Sequence, residues 1–130
     1  MKILVCGLPG AGKTTLATQL AKQLNAIHLN SDRMAAEELT TFGLLERQLP
    51  EIDSKLQAFR LKFISNTIND AGHTVIIDFV CNTNMIQRIV DPDVIVWLDT
   101  KPGTFERPLS CIRLADYAYN IENVIRRLNA

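Results

Sequence analysis

Short apolar runs alternate with longer amphipathic segments along the chain. The apolar runs predict five strands, at Ile3–Cys6, Ala26–Leu29, Thr74–Ile77, Val94–Leu98 and Ile112–Leu114. Most of these runs are apolar throughout, with no alternation of polar residues. This pattern predicts an α/β structure with a parallel sheet that is covered by helices on both faces.

The amphipathic segments predict the helices between these strands. Thr14–Leu24 carries leucines at every fourth position, and Asn82–Val90 has the length of a short helix. Ser31 or Asp32 can cap a helix that runs toward Leu39, and Asn120 can cap a closing helix that ends at Leu128.

The longest predicted helix runs from Ile52 to Asp70 and ends before Gly72. Its apolar residues fall on one helical face, and we expect this face to pack on the core. These residues are Leu56, Phe59, Phe63, Ile64 and Ile68.

Composition narrows the class of protein. With 130 residues, 47% of them hydrophobic, the chain suits a single domain over residues 1–130. Its 14 basic and 14 acidic side chains balance, which argues against bulk electrostatic binding to nucleic acid or to an anionic membrane. No apolar run approaches the roughly 18 residues of a membrane span. The three cysteines form no CxxC pair, so we expect no zinc site or disulfide framework and a cytoplasmic location.

Residues 7–14, Gly-Leu-Pro-Gly-Ala-Gly-Lys-Thr, match the pattern G-x-x-x-x-G-K-[ST] in full. In this pattern the glycines let successive N–H groups point at phosphate oxygens, and Lys13 supplies a charge for the β- and γ-phosphates. Thr14 offers a hydroxyl to Mg²⁺. The motif predicts binding of a nucleoside triphosphate with Mg²⁺ by Gly7, Leu8, Pro9, Gly10, Ala11, Gly12, Lys13, Thr14 and Thr15, and it leaves ATP and GTP as alternatives because the loop contacts phosphates and not the base.

Further polar residues follow the other predicted strands, where ligands bind in parallel α/β sheets. Asp78 can hold a water on Mg²⁺ together with Thr14, or it is an ordinary aspartate at a strand end. If Ala26–Leu29 lies beside the first strand, Asp32 faces the γ-phosphate across the cleft. It can then orient an attacking hydroxyl or accept its proton, and the alternative role is that of a helix cap. Asp99 ends another strand at the same edge.

Four more residues are candidates for substrate binding, each with an ordinary alternative. Arg33 can pair with a phosphate or sulfate group, or it is a solvated helix charge. Phe79 can stack on a planar base, or it packs in the core. Asn82 is either a substrate contact or a helix cap, and Arg60 points into the cleft or into water.

Three other residues invite a chemical role but have simpler interpretations. His28 and His73 have no partner at ligand spacing, so we interpret them as an ordinary strand residue and an ordinary turn residue. Cys81 lies near the predicted site, where a thiol can react, but most cysteines near strands are small buried apolar groups.

The sequence resembles the adenylylsulfate kinases and related small P-loop kinases. The resemblance rests on the phosphate loop at residues 7–15, on Asn30-Ser31-Asp32 in place of Asp-Gly-Asp, and on residues 71–81, similar to an Ala-Gly, apolar strand and Phe-Ile-Ser segment. It implies a three-layer P-loop NTPase fold of the nucleotide-kinase type, with a mainly parallel five-stranded sheet. It also implies transfer of the γ-phosphoryl group of ATP to a hydroxyl of a small nucleotide-like acceptor. Asp32 would be catalytic with Lys13, and Phe79 would stack on the acceptor's adenine.

The chain also departs from this family. Asn30 replaces the first aspartate, Arg33 follows Asp32 directly instead of standing three residues later, and Cys81 replaces the serine. Residues 101–108 stand where the family carries a long basic lid, so the lid is short or absent. Arg107, or the partner chain of a homodimer, can supply the missing cation. A polynucleotide 5′-hydroxyl kinase, another small-molecule kinase and a non-catalytic ATP-binding regulator remain alternatives.

Overall fold

The computed structural model describes residues 1–8, 10–33, 54–81, 83–101, 103, 106, 108, 110–116 and 119–129. The strands within these residues are β1 (Lys2–Gly7), β2 (Ile27–Asn30), β3 (Val75–Asp78), β4 (Val94–Leu98) and β5 (Ile112–Leu114). The helices are α1 (Lys13–Leu24), α2 (Ser54–Asp70), α3 (Asn84–Val90) and α4 (Ile121–Leu128). The predicted elements that fall on these ranges are confirmed, with ends that shift by one or two residues.

The strands form one parallel sheet in the order β2-β3-β1-β4-β5, which confirms the predicted five-stranded α/β architecture. The condition on which Asp32 was expected to face the γ-phosphate, that β2 lies beside β1, is not met, because β3 lies between them. All four residues of β3 are buried, so this strand needs a neighbour on each side, whereas β2 has an exposed Ile27 and tolerates the sheet edge.

Two apolar cores cover the two faces of the sheet, and β1 contributes to both. Ile3 and Val5 pack with residues of α1 and α4, while Leu4 and Cys6 pack with residues of α2 and α3. Successive side chains of a strand point to opposite faces, so a fully apolar strand fills both layers. The carboxyl ends of the parallel strands therefore meet at one edge, between the helical layers.

Helix α2 packs on the core through a different face from the predicted one. Leu56, Phe59 and Phe63 are 47%, 55% and 73% exposed, whereas Ile64 and Ile68 are half-buried. The buried residues are Gln57, Ala58, Leu61 and Ser65. These smaller side chains let α2 lie close to the sheet, and the Gln57 amide donates a hydrogen bond to the carbonyl of Ser31 at 3.0 Å. The expectation that the bulky apolar face is the core face is therefore wrong for Leu56, Phe59 and Phe63, whereas Ile68 packs against the core as expected.

Polar side chains cap the N-termini of two helices, α3 and α4. The Asn120 side chain accepts hydrogen bonds from the N–H groups of Glu122 and Asn123, which confirms the predicted cap of α4. Helix α3 is capped by the hydroxyl of Thr83. The predicted cap Asn82 lies outside the described residues, as does the segment from 34 toward Leu39. In the described part of the chain, no helix has the length and apolar character to span a membrane.

Candidate active site

The loop between β1 and α1 has the geometry of a phosphate cradle. Gly10 and Gly12 adopt left-handed conformations with φ of 78° and 99°, which favour glycine. The Ala11 N–H donates to the Leu8 carbonyl at 3.0 Å, and this bond closes the turn. Helix α1 begins at Lys13, and Gly12 has no side chain to cap it. The first N–H groups of α1 therefore remain available to an anion at the positive end of the helix dipole.

Lys13 lies within this loop, where its side chain is only 8% exposed. Its Nζ donates to the Leu8 carbonyl at 3.2 Å, so the ammonium group bridges the cradle. A polyphosphate offers stronger, charged acceptors than this single carbonyl. Lys13 is therefore placed to exchange its bond to the loop for bonds to bound phosphate.

Asp78 gathers three polar side chains at the end of β3. Its carboxylate is 3% exposed, and Oδ2 accepts hydrogen bonds from Thr14 Oγ1 at 2.8 Å and Asn30 Nδ2 at 3.0 Å. His28 Nε2 lies 3.4 Å from the same oxygen. The strand register explains the arrangement, because Asn30 is the direct partner of Asp78 between β2 and β3.

These residues suit a magnesium ion. The Thr14 hydroxyl donates a hydrogen bond to Asp78 and accepts a long one, 3.4 Å, from Asn30 Nδ2, which leaves one lone pair of its oxygen for a cation. The hydroxyl and the carboxylate are both hard oxygen ligands. No cluster of three or more His, Cys, Asp or Glu residues that can hold a metal exists in the described ranges. Mg²⁺ is usually held by one or two protein oxygens and completed by water and nucleotide phosphates.

The loop opens onto a cleft of about 390 Å³. Its lining residues are Gly10, Gly12, Lys13, Thr14, Thr15, Asp32 and Val80. Asp32 is exposed, and the backbone on both sides of it is fixed. The preceding carbonyl of Ser31 accepts the bond from Gln57, and the following N–H of Arg33 donates to Asn30 Oδ1 at 2.9 Å. The fold thus brings the predicted acceptor-side carboxylate to the phosphate cradle.

Among the described residues, the other residues predicted to bind substrate do not line this cleft. Phe79 is 6% exposed and packs in the core between the sheet and α2, which favours the core-packing alternative. Arg33 is exposed, and Arg60 is half-buried on α2. Pro9, Asn82 and Arg107, which were assigned to the nucleotide, the acceptor and the lid, lie outside the described residues.

The cysteines near the site are buried apolar groups. Burial, followed by the neighbouring Cys6, raises the pKa of the Cys81 thiol far above its usual range. Burial likewise raises the pKa of Cys6 to about 12. Both thiols therefore remain protonated at neutral pH and lack the reactive thiolate form.

Sequence patterns missed two members of the site, His28 and Asn30. The sequence pattern indicates an ordinary strand residue at His28, and it places Asn30 at the sheet edge where ligands bind without predicting its bond to Asp78. The signal lies in their spacing, because residues two apart on a strand share a face. Two polar side chains on one face of β2, near the strand's end, point to a polar partner on the neighbouring strand.

Known structures share this fold. The APS kinase of Mycobacterium tuberculosis is 19% identical, with a TM-score of 0.74 over 99% of this chain and 96% of its own. An unliganded sugar kinase from Janibacter sp. HTCC2649 is also 19% identical, with a TM-score of 0.62 over 98% of this chain and 91% of its own. At these identities the likeness establishes a P-loop kinase-like fold. No curated protein sequence matches the chain.

The family comparison covers most of the sequence. Residues 3–106 match the AAA domain family AAA_33, and this range includes the phosphate loop, Asp32, Asp78 and Asp99. The chain therefore belongs to the AAA_33 family of AAA domains, with the fold of a P-loop kinase.

Proposed function

We propose that this protein is an ATP-dependent kinase that transfers the γ-phosphoryl group to a hydroxyl of a small nucleotide-like acceptor. The observation that carries the proposal is the shared cleft, which Lys13 and Thr14 of the phosphate loop line together with Asp32. A site that only binds a nucleotide needs no more than the phosphate loop. Phosphoryl transfer also needs a group that positions the acceptor, and Asp32 would take that role.

The donor side of the reaction uses the loop and α1. The backbone N–H groups would hold the β- and γ-phosphates, and Lys13 would follow the charge that moves toward the β-phosphate as the bond breaks. Thr14 and Asp78 would hold Mg²⁺, which when bound neutralises charge on the phosphates. Asn30 and His28 would keep the Asp78 carboxylate oriented through Oδ2.

The acceptor side depends on Asp32. The acceptor oxygen forms a bond to the γ-phosphorus, while the bond from that phosphorus to the β–γ bridging oxygen breaks and ADP leaves. The hydroxyl proton passes to the Asp32 carboxylate, which is exposed on the cleft and can release it to water.

Several wider properties belong to the same proposal. Residues 1–130 would act as one domain, because β1 near the start and β5 near the end belong to one sheet. The free thiols of Cys6, Cys81 and Cys111 are consistent with a reducing cytoplasm, where ATP is available. The acceptors to test first are adenylylsulfate, on the resemblance and the APS kinase fold, and sugars, on the sugar kinase fold.

A coupled assay for ADP release tests the proposal, with adenylylsulfate, nucleosides, sugars and oligonucleotide 5′ ends as acceptors. For the best acceptor, Asp32→Asn should lower kcat by about 100-fold or more, the range of general acid–base catalysis. Calorimetry should give an MgATP affinity within about threefold of the unmodified protein, because Asp32 does not belong to the cradle.

The matched control is Asp70→Asn, which neutralises an exposed aspartate at the far end of α2 and should leave kcat unchanged. Turnover with none of the acceptors would refute the kinase proposal. MgATP binding without any transfer would instead support the ATP-binding regulator. A kcat for Asp32→Asn equal to that of the control would remove Asp32 from the mechanism.

A further inference from the structure

The segment after β4 lies along the phosphate loop. Thr100 Oγ1 donates a hydrogen bond to the Ala11 carbonyl at 2.8 Å. A Cβ atom built on Gly10 would lie 2.7 Å from Lys101 Nζ and 3.4 Å from its Cε. The Lys101 amine therefore lies directly beside the backbone of the cradle.

A third contact extends this arrangement to Gly103. A Cβ atom on Gly103 would lie 2.3 Å from Leu8 Cδ1, so this residue touches the beginning of the loop. As the segment runs from Thr100 to Gly103, its contacts move backward along the loop, from Ala11 through Gly10 to Leu8. Thr100, Lys101 and Gly103, here called the strap, thus follow the phosphate loop in the opposite direction.

The strap approaches the cradle from the side of β4. Leu98 is the register partner of Gly7, so the strap begins where β1 and β4 end together. Asp78 and Asn30 belong to β3 and β2, on the other side of β1 in the sheet. The two flanks of the loop therefore differ, with an acidic metal site on one flank and the strap on the other.

The charge of Lys101 is not cancelled by its nearest acidic neighbour along the chain. Asp99 is engaged by Arg113, whose Nη2 and Nε lie 2.6 and 2.8 Å from Oδ2. Within the described residues, no ion pair involves Lys101, and its side chain is exposed. A full positive charge thus lies beside a loop built to hold polyphosphate.

We propose that Lys101 is a second cationic residue of the nucleotide site, which the strap holds beside Gly10 to contact the polyphosphate of a bound nucleoside triphosphate. This inference rests on the nucleotide binding in the proposed function. Gly10 lines the cleft, so the amine lies beside a residue that would border the bound phosphates. The flexible four-carbon stem of lysine lets the amine turn toward them. Lys101 would then add a second positive charge to that of Lys13.

Calorimetry tests this with two ligands, MgATP and inorganic tripolyphosphate, at low and high salt. The variants are Lys101→Gln, which removes the charge, and Lys101→Arg, which keeps it. Lys22→Gln is the control, since Lys22 is an exposed lysine in the last turn of α1, about 14 Å along the helix from Lys13. Lys101→Gln should lower the affinity for both ligands by about fivefold at low salt. The loss should be smaller at high salt because salt screens the charge interaction.

The affinities of Lys101→Arg and Lys22→Gln for both ligands should stay within about twofold of those of the unmodified protein. Equal affinity of Lys101→Gln and the control would overturn the inference, as would a loss for MgATP alone, which would place Lys101 at the base or ribose. A large drop in the melting temperature of Lys101→Gln would assign the residue a structural role and also overturn it. If the unmodified protein binds neither ligand, the proposed function itself fails.

Discussion

Replacing Asp78 by Asn separates the metal role of this residue from its structural role. The amide keeps the shape of the side chain, and its oxygen can still accept the bonds from Thr14 and Asn30. A hydrogen bond to a charged acceptor contributes about 1 kcal/mol more than one to a neutral acceptor, so two weakened bonds cost about 2 kcal/mol. Burying a neutral amide at a site that is 3% exposed costs less than burying a carboxylate, which offsets part of this loss. The free protein should therefore remain folded.

The effect on ATP should change sign with magnesium. In excess EDTA, Asp78→Asn removes a negative charge near the phosphates, so ATP should bind as well as before or better. In excess Mg²⁺, the variant lacks the negative charge of the carboxylate and holds Thr14 through a weaker, neutral hydrogen bond, so ATP should bind more weakly. The ATP affinity in Mg²⁺ divided by the ATP affinity in EDTA should be about 10- to 100-fold lower for Asp78→Asn than for the unmodified protein. This is the usual effect of losing a group that orients a metal ligand. Titration calorimetry under both conditions measures this ratio.

Asp99→Asn is the matched control for this experiment. Asp99 also follows a parallel strand of the sheet, but its carboxylate pairs with Arg113 and not with Thr14. Its loss should leave the magnesium dependence of ATP binding unchanged. If Asp78→Asn and Asp99→Asn both retain the full enhancement by Mg²⁺, the pair of Thr14 and Asp78 is not the metal site.

The remaining predictions concern stability. Leu61→Ala removes a fully buried side chain of α2 and should lower the free energy of unfolding by about 2–5 kcal/mol, whereas Phe63→Ala, at a 73% exposed position, should cost less than about 0.5 kcal/mol. Urea denaturation compares the two, and equal losses would contradict the packing face assigned to α2. Burial raises the pKa of Cys6 from 9.0 to about 12, so between these pH values the unfolded chain releases a proton that the folded protein keeps. Stability should thus fall with rising pH by up to about 1.4 kcal/mol per pH unit from this thiol, and Cys6→Ala should reduce the slope above pH 9. An unchanged slope in denaturation curves at several pH values would contradict the assignment.

Local features of the chain were predictable from the sequence. The phosphate loop is one continuous stretch of sequence, and its glycines, Lys13 and Thr14 stand close together in that stretch. The strands are short apolar runs with clear ends, and the Asn120 cap depends on groups two and three residues away. Each of these features is fixed by interactions within a few residues, and composition and periodicity report such interactions directly.

The tertiary structure decided what depends on residues far apart in the chain. The sequence pattern predicted that the bulky face of α2 packs on the core. In the structure, Ala58 and Leu61 are buried there instead, because the space above the sheet is limited. His28 and Asn30 became part of the site only when β2 paired with β3 and brought them to Asp78. The strap likewise meets the phosphate loop because β1 and β4 end side by side. Strand order and helix orientation are chosen by the packing of the whole core, so no local pattern determines which distant side chains meet.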